Sequence, residues 1–263
     1  MRRIRIKTAY DGTNYCGFQI QPGMPTIEGE LNRALSELTH EDIHIIGASR
    51  TDSGVHALCN VAVFDTESRI PADRLSLAIS PFLPGDIKVT EADEVSEDWH
   101  PRKQACIKTY EYFISCGSFE DPLTRLYSAF SKRDLDIEKM RKAAGYLIGE
   151  HDFTSFANPS SQVLMDGGSA VRTIYSIEIE KKEKGYLKEL SEVRIAVTGN
   201  GFLYNMVRII AGTLISVGNG LWEPERVKDA LLAKDRTKAG PTAEAKGLRL
   251  SRIEYTGKEK NIL

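Results

Sequence analysis

Long apolar runs are what this sequence most plainly lacks. No stretch of its 263 residues approaches the roughly 18 apolar residues of a membrane span, and Met1-Arg2-Arg3 opens a strand-like alternation where a signal peptide would place its apolar core. No membrane association and a cytoplasmic location are therefore expected. Cysteine is scarce too: Cys16, Cys59, Cys106 and Cys116 form no Cys-x-x-Cys pair, which argues against a zinc ribbon or a redox dithiol and fits thiols kept reduced. His40 and His44 have helical i, i+4 spacing but no third ligand, so they read as surface histidines and no metal site is expected. An excess of positive charge is also missing. With 35 basic against 37 acidic residues the net charge is −2, so nucleic-acid binding is permitted rather than demanded.

The average conceals a local separation. Acid gathers at Glu91, Asp93, Glu94, Glu97 and Asp98, while basic residues recur at Arg102, Lys103 and Lys108, at Arg125, Lys132 and Arg133, and at Lys234, Arg236, Lys238 and Lys246. A composition of 41% hydrophobic and 27% charged residues is ordinary for a globular protein, and the length allows one large core or two modest ones.

Residues 3–7, Arg-Ile-Arg-Ile-Lys, alternate with period two and predict a half-buried strand. Ile27, Leu31, Ala34, Leu35 and Leu38 then share one helical face behind Thr26 as N-cap, with Glu28 and Glu30 in the first turn. Strands are expected over 43–48, 58–64 and 87–92, and a second helix over 72–82. A second set begins near Ala105: strands over 106–115, 173–180, 193–198 and 247–255, helices over 137–148 and 224–233, and a long helix after Asn200-Gly201 that ends near Gly218. The run 181–185 predicts a charged, solvated hairpin turn. Strand and helix thus alternate twice, with a switch near residues 99–105, which suggests two α+β halves, 1–104 and 105–263.

Ser49-Arg50-Thr51-Asp52-Ser53-Gly54-Val55-His56-Ala57 packs charge, hydroxyls and glycine behind the apolar residues 43–48. A carboxylate beside an arginine, on a loop whose glycine allows close backbone approach, suits a reactive group held ionised by a neighbouring cation. A polar turn in which Asp52 only bonds its own backbone is the alternative. Arg208 is the second candidate, because Phe202, Met206, Val207, Ile209, Ile210, Leu214 and Ile215 leave its helix little polar surface. A guanidinium there is expected to be partly buried and to need an acid, for which Asp52, Asp11, Glu111 and Asp152 are available. Tyr110 and Tyr112 should share one face of a strand, where tyrosines ordinarily pack, and Phe153, Phe156, Phe202 and Tyr204 read as mostly core.

Five blocks in order resemble the TruA family of tRNA pseudouridine synthases. They are Tyr10-Asp11-Gly12-Thr13 with Gly17-Phe18-Gln19, the loop Arg50 to Ala57, Lys108-Thr109-Tyr110-Glu111-Tyr112, His151-Asp152-Phe153-Thr154-Ser155-Phe156, and Gly201-Phe202-Leu203-Tyr204-Asn205-Met206-Val207-Arg208. The resemblance runs along nearly the whole chain. It implies an α+β fold of two ferredoxin-like halves sharing a continuous antiparallel sheet with helices packed on it, and an active-site cleft between the halves. It also implies an isomerase that turns uridine into pseudouridine at positions 38, 39 and 40 of the tRNA anticodon arm, without metal or cofactor, as a homodimer gripping one tRNA across both subunits. By the same resemblance Asp52 is the catalytic nucleophile and Arg208 its ion-pair partner. Tyr110 contacts the target uracil, Arg50 enters the gap left by the turned-out base and binds phosphate, Leu248 lines the uracil pocket, and Tyr112 keeps a structural role.

The sequence departs from the family pattern in three places. Ser49 replaces a glycine, which would restrict the backbone next to Arg50; Lys103 replaces an aromatic after Trp99-His100-Pro101-Arg102; and residues 240–250 carry extra residues, with Arg249 in place of an aromatic. Two rival functions remain on the residues alone. Asp52-Ser53-Gly54 has the form of an aspartic-protease motif, but no second copy exists, so a dimer would have to supply it, and Arg50 opposes the shared proton that such a site needs. A catalytically silent RNA-binding protein on the same scaffold is the other, opposed by the joint presence of Asp52, Tyr110 and Arg208.

Overall fold

Period-two alternation decides the first strand. In β1 (Arg2–Tyr10) Ile4, Ile6, Thr8 and Tyr10 are buried on one face, while Arg3, Arg5 and Lys7 lie on the other. The structure, a computed structural model, describes residues 1–184 and 190–257. Helix α1 (Ile27–Thr39) buries Ile27, Leu31, Ala34 and Leu35 and starts at Thr26, whose hydroxyl accepts from the Gly29 amide at 3.3 Å, as the apolar spacing and the N-cap predicted. Next come β2 (Ile46–Gly47), β3 (His56–Thr66), α2 (Ala72–Ile79) and β4 (Ile87–Val95). β1 lies between β3 and β4, antiparallel to both.

This register puts opposite charges across from one another. Arg5 faces Asp93 and Lys7 faces Glu91, in ion pairs of 2.5 Å each, and Arg3 makes a two-point bond to Asp65 at 2.7 and 2.8 Å. Much of the acidic run after residue 90 is thereby neutralised by the first strand.

The second set comprises β5 (Cys106–Gly117), β6 (Ala129–Ser131), α3 (Ile137–Gly145), β7 (Gly149–Asp152), α4 (Gln162–Met165), β8 (Val171–Glu183), β9 (Leu190–Gly199), α5 (Met206–Gly218) and α6 (Glu225–Ala233). β5, β9, β8 and β7 follow one another as antiparallel neighbours, and β6 runs parallel beside β5. Helix α3 packs on β8 and on α5. The chain closes with β10 (Leu248–Tyr255), which pairs in parallel with β3 through Arg249 and Leu250. The fold is thus α+β with mostly antiparallel sheets, as expected. Two compact units emerge: Met1–Cys106 together with the chain from Arg249 onward, and Ile107–Leu248.

Several local expectations are corrected. Of the strand expected over 43–48 only residues 46–48 bond to β3, the Ala48 amide to the Val61 carbonyl at 2.7 Å, because the amides of Ile43 and Ile45 donate to Ser36 and Asn32 of α1 (3.0 and 2.9 Å) instead of to a neighbouring strand. Tyr204 is 46% exposed, so it is not core, whereas Phe153 and Phe156 are fully buried. Lys184 was expected in a solvated turn. It is instead buried against Asp121, 2.7 Å away, an acid that is only 1% exposed. The turn expected around Gly185 lies outside the described residues.

Candidate active site

The loop between β2 and β3 is held from both sides. The Asn60 amide, fully buried in β3, donates to the Ser49 carbonyl at 2.9 Å and to the Tyr10 hydroxyl oxygen at 3.2 Å. Tyr10 is in turn hydroxyl-to-hydroxyl with Thr51 at 2.8 Å, and burial pushes its phenol up to about 12, so it stays neutral. On the other side the Thr51 carbonyl accepts from the Phe18 amide at 3.0 Å. The Tyr15 carbonyl accepts from the Ser53 hydroxyl and the Gly54 amide at 3.2 and 3.3 Å. Gly54 closes the turn at φ +76°, and Gly17 at φ +89° brings its Cα so close that a β-carbon would lie 2.7 Å from the Thr51 carbonyl. The early block Tyr10 to Gln19 therefore serves as the cradle of the aspartate loop.

On this braced loop Asp52 is partly exposed and Arg50 exposed. Arg50 forms neither a hydrogen bond nor an ion pair with any of the described residues. Beside it stands Arg102, whose Nε donates to the Gly47 carbonyl at 2.8 Å; burial first, and then the Arg50 charge, hold its guanidinium below the usual range. Ser49 is buried and does not take a left-handed φ, so its side chain does not strain the backbone next to Arg50.

The other candidates lie in the second unit. Tyr110, on β5 opposite Val197, is 8% exposed and meets Phe202 edge-on, with ring centroids 5.3 Å apart and planes at 85°. Tyr112, two residues on, is fully buried and donates to the Glu244 carbonyl at 3.0 Å. Arg208 sits in the first turn of α5, partly buried as expected, with its Nε on the Ala243 carbonyl at 2.8 Å. Two of the acids that could have claimed it are engaged elsewhere: Glu111 with Arg194 at 2.6 Å, and Asp152 with Lys234 at 2.9 Å and the Thr154 hydroxyl at 2.6 Å. Leu248, the first residue of β10, is 5% exposed. Asp52 and Arg50 thus lie in one unit, and Tyr110, Arg208 and Leu248 in the other.

Tyr10, Tyr15 and Asn60 escaped the sequence reading as supports. Asn60 carried the clearest signal, since a lone amide within the apolar run 57–64 must find partners once buried. Among the described residues no three His, Cys, Asp or Glu side chains come together as a metal site, and no helix is long and apolar enough to cross a membrane. His40 and His44 are both exposed. The four cysteines are free thiols, the buried Cys116 pushed up to about 11 by burial.

An aspartate loop braced in this way can present a carboxylate to a ligand at fixed geometry, and comparison with known proteins supplies the class. The tRNA pseudouridine synthase family matches residues 6–102 and 143–256. The chain belongs to that family, whose members are isomerases acting on tRNA. TruA membership is borne out by relatives named tRNA pseudouridine synthase A. Those of Ruminiclostridium cellulolyticum and a Thermoanaerobacter species are each 46% identical over 97% of this chain and 100% of their own length. That of Brevibacillus brevis is 42% identical over the same shares.

Proposed function

We propose that this protein converts uridine to pseudouridine at positions 38, 39 and 40 of the tRNA anticodon stem-loop, in the cytoplasm, with Asp52 as nucleophile. The observation that carries the reading is the Asp52 loop. Its backbone and its hydroxyl side chains are bonded to Asn60, Tyr10, Tyr15 and Phe18, yet the aspartate keeps access to solvent. Such bracing suits a group that must meet a reacting atom at fixed geometry.

In the reaction Asp52 attacks the nucleoside and the N1–C1′ bond breaks. The uracil turns while it is held, C5 bonds to C1′, the bond to Asp52 breaks and returns the carboxylate, and the proton lost from C5 is balanced by one gained at N1. Mass is unchanged and no electrons are exchanged, so the step calls for no redox partner, metal or cofactor. Arg208 keeps the Asp52 carboxylate ionised and oriented. This reading is supported by its place as the one charged residue of a largely apolar helix and by the prior engagement of Glu111 and Asp152. Tyr110 stacks on the target base, and Leu248 lines its pocket. Arg50, with Arg102 beside it, fills the gap left by the base and binds backbone phosphate; two neighbouring guanidiniums that form no ion pair are suited to a polyanion. The half ending at residue 104 carries the nucleophile and the half from 105 carries the tyrosine and arginine of the cleft.

The working form is a homodimer that grips one tRNA with both subunits, since two copies of a chain near neutrality can align basic clusters along one RNA. Chemical mapping of pseudouridine in an unmodified tRNA after incubation with the protein tests the reading. Product is expected at uridines 38–40 and nowhere else in that tRNA; no product, or product confined to another arm, would contradict it.

A further inference from the structure

The segment 239–247 crosses α5 at the turn that bears Arg208. The Gly240 amide donates to the Thr213 hydroxyl at 2.9 Å, and that hydroxyl donates to the Ile209 carbonyl at 2.7 Å. The approach is so close that a β-carbon on Gly212 would lie 2.0 Å from the Pro241 carbonyl oxygen, so only glycine allows it. Ala243 then holds Arg208 at both ends: its amide donates to the Arg208 carbonyl at 3.1 Å, and its carbonyl accepts from Arg208 Nε at 2.8 Å. The next carbonyl along, Glu244, accepts from the Tyr112 hydroxyl at 3.0 Å. Tyr112 is fully buried, and Gly247 lies against its ring, where a β-carbon would come within 2.7 Å.

Consecutive carbonyls of one segment therefore engage Arg208 and Tyr112. Nε donates to Ala243, and the Nη1 and Nη2 hydrogens form the other edge of the guanidinium. The direction of that edge follows the orientation of the Ala243 carbonyl, which Tyr112 anchors one residue later. We propose that residues 239–247 act as a strap that sets the direction of the Arg208 guanidinium and the position of Leu248, and that Tyr112 is the positioning residue that fixes the strap. The proposal rests on Arg208 serving the reaction as described above.

Tyr112→Phe removes a single hydrogen bond and keeps the ring. The measurements are the single-turnover rate of pseudouridine formation, tRNA affinity and thermal melting. The rate should fall about 10-fold, because small displacements of an orienting group are costly to the reacting geometry, while tRNA affinity stays unchanged. Gly212→Ala, which pushes the Pro241 carbonyl away from α5, should lower the rate by about 100-fold; should that variant fail to fold, Tyr112→Phe alone decides. A lower melting temperature with an unchanged rate, or a loss of rate matched by a loss of affinity, would overturn the positioning role. Arg208→Ala separates this proposal from the reading beneath it. If Arg208→Ala retains the rate, the role of Arg208 fails and the strap with it; if Arg208→Ala is inactive while Tyr112→Phe matches the wild type, only the strap is refuted.

Discussion

Asn60 shows how much one buried amide can decide. It sits at the centre of a strand that is otherwise apolar, and it satisfies two oxygens that belong to the aspartate loop and its support, Ser49 O and Tyr10 Oη. Removing it would leave the Ser49 carbonyl without this donor, at a cost of about 1–3 kcal/mol. Asn60→Ala should therefore lower stability by that amount in chemical denaturation and slow single-turnover pseudouridine formation about 10-fold, since the loop next to Asp52 loses its anchor. A stability loss with an unchanged rate would show that the cradle is structural only. Ser49 teaches the opposite lesson. A serine next to Arg50 reads as restrictive in the sequence, yet its φ lies outside the left-handed region and its side chain is simply buried.

Among the elements, β1 joins electrostatics to register. The hydrogen bond from Arg3 holds the Asp65 carboxyl below its ordinary 3.8 against the opposing effect of burial, and the Arg3 charge adds a lesser contribution. A depressed folded-state value means that the stabilisation is fully present above the unfolded value and lost as pH falls through the folded one. Denaturation midpoints should decline as pH is lowered from about 5, and Asp65→Asn should make that decline shallower. Because Asp65 is 38% exposed, screening keeps the difference below ~1 kcal/mol. Equal declines for the two proteins would contradict the assignment.

Elements were legible where their signal is local. The alternation of β1, the apolar face and cap of α1, and the apolar surround of Arg208 all read correctly. The strand over 43–48 did not, because whether Ile43 and Ile45 pair with a strand or with side chains of α1 depends on contacts the periodicity does not encode. Lys184 reads as a solvated charge until its partner Asp121, 63 residues away, is known. At the site, the aspartate loop and Arg208 stood out through residue type. The strap did not, since its bonds run to backbone carbonyls at separations of 35 and 132 residues, which any residue type could provide.

At the scale of the whole molecule, a net charge of −2 proves a poor guide to binding a polyanion. The acids of β4 are paired within the protein by Arg2, Arg5 and Lys7, while Arg50 and Arg102 form no ion pair among the described residues. Local separation of this kind, rather than the sum, is what an RNA phosphate would meet. It also fits the proposed dimer, in which two near-neutral chains present their unneutralised arginines to one tRNA.

The central claim is that Asp52 is the nucleophile of a tRNA isomerase, and Asp52→Asn tests it most directly because the side-chain shape is kept. The measurement is pseudouridine formed per enzyme in a single turnover, with tRNA affinity followed in parallel. The account predicts no detectable product alongside tRNA binding close to that of the wild type. Product formation comparable to wild type by Asp52→Asn would contradict it.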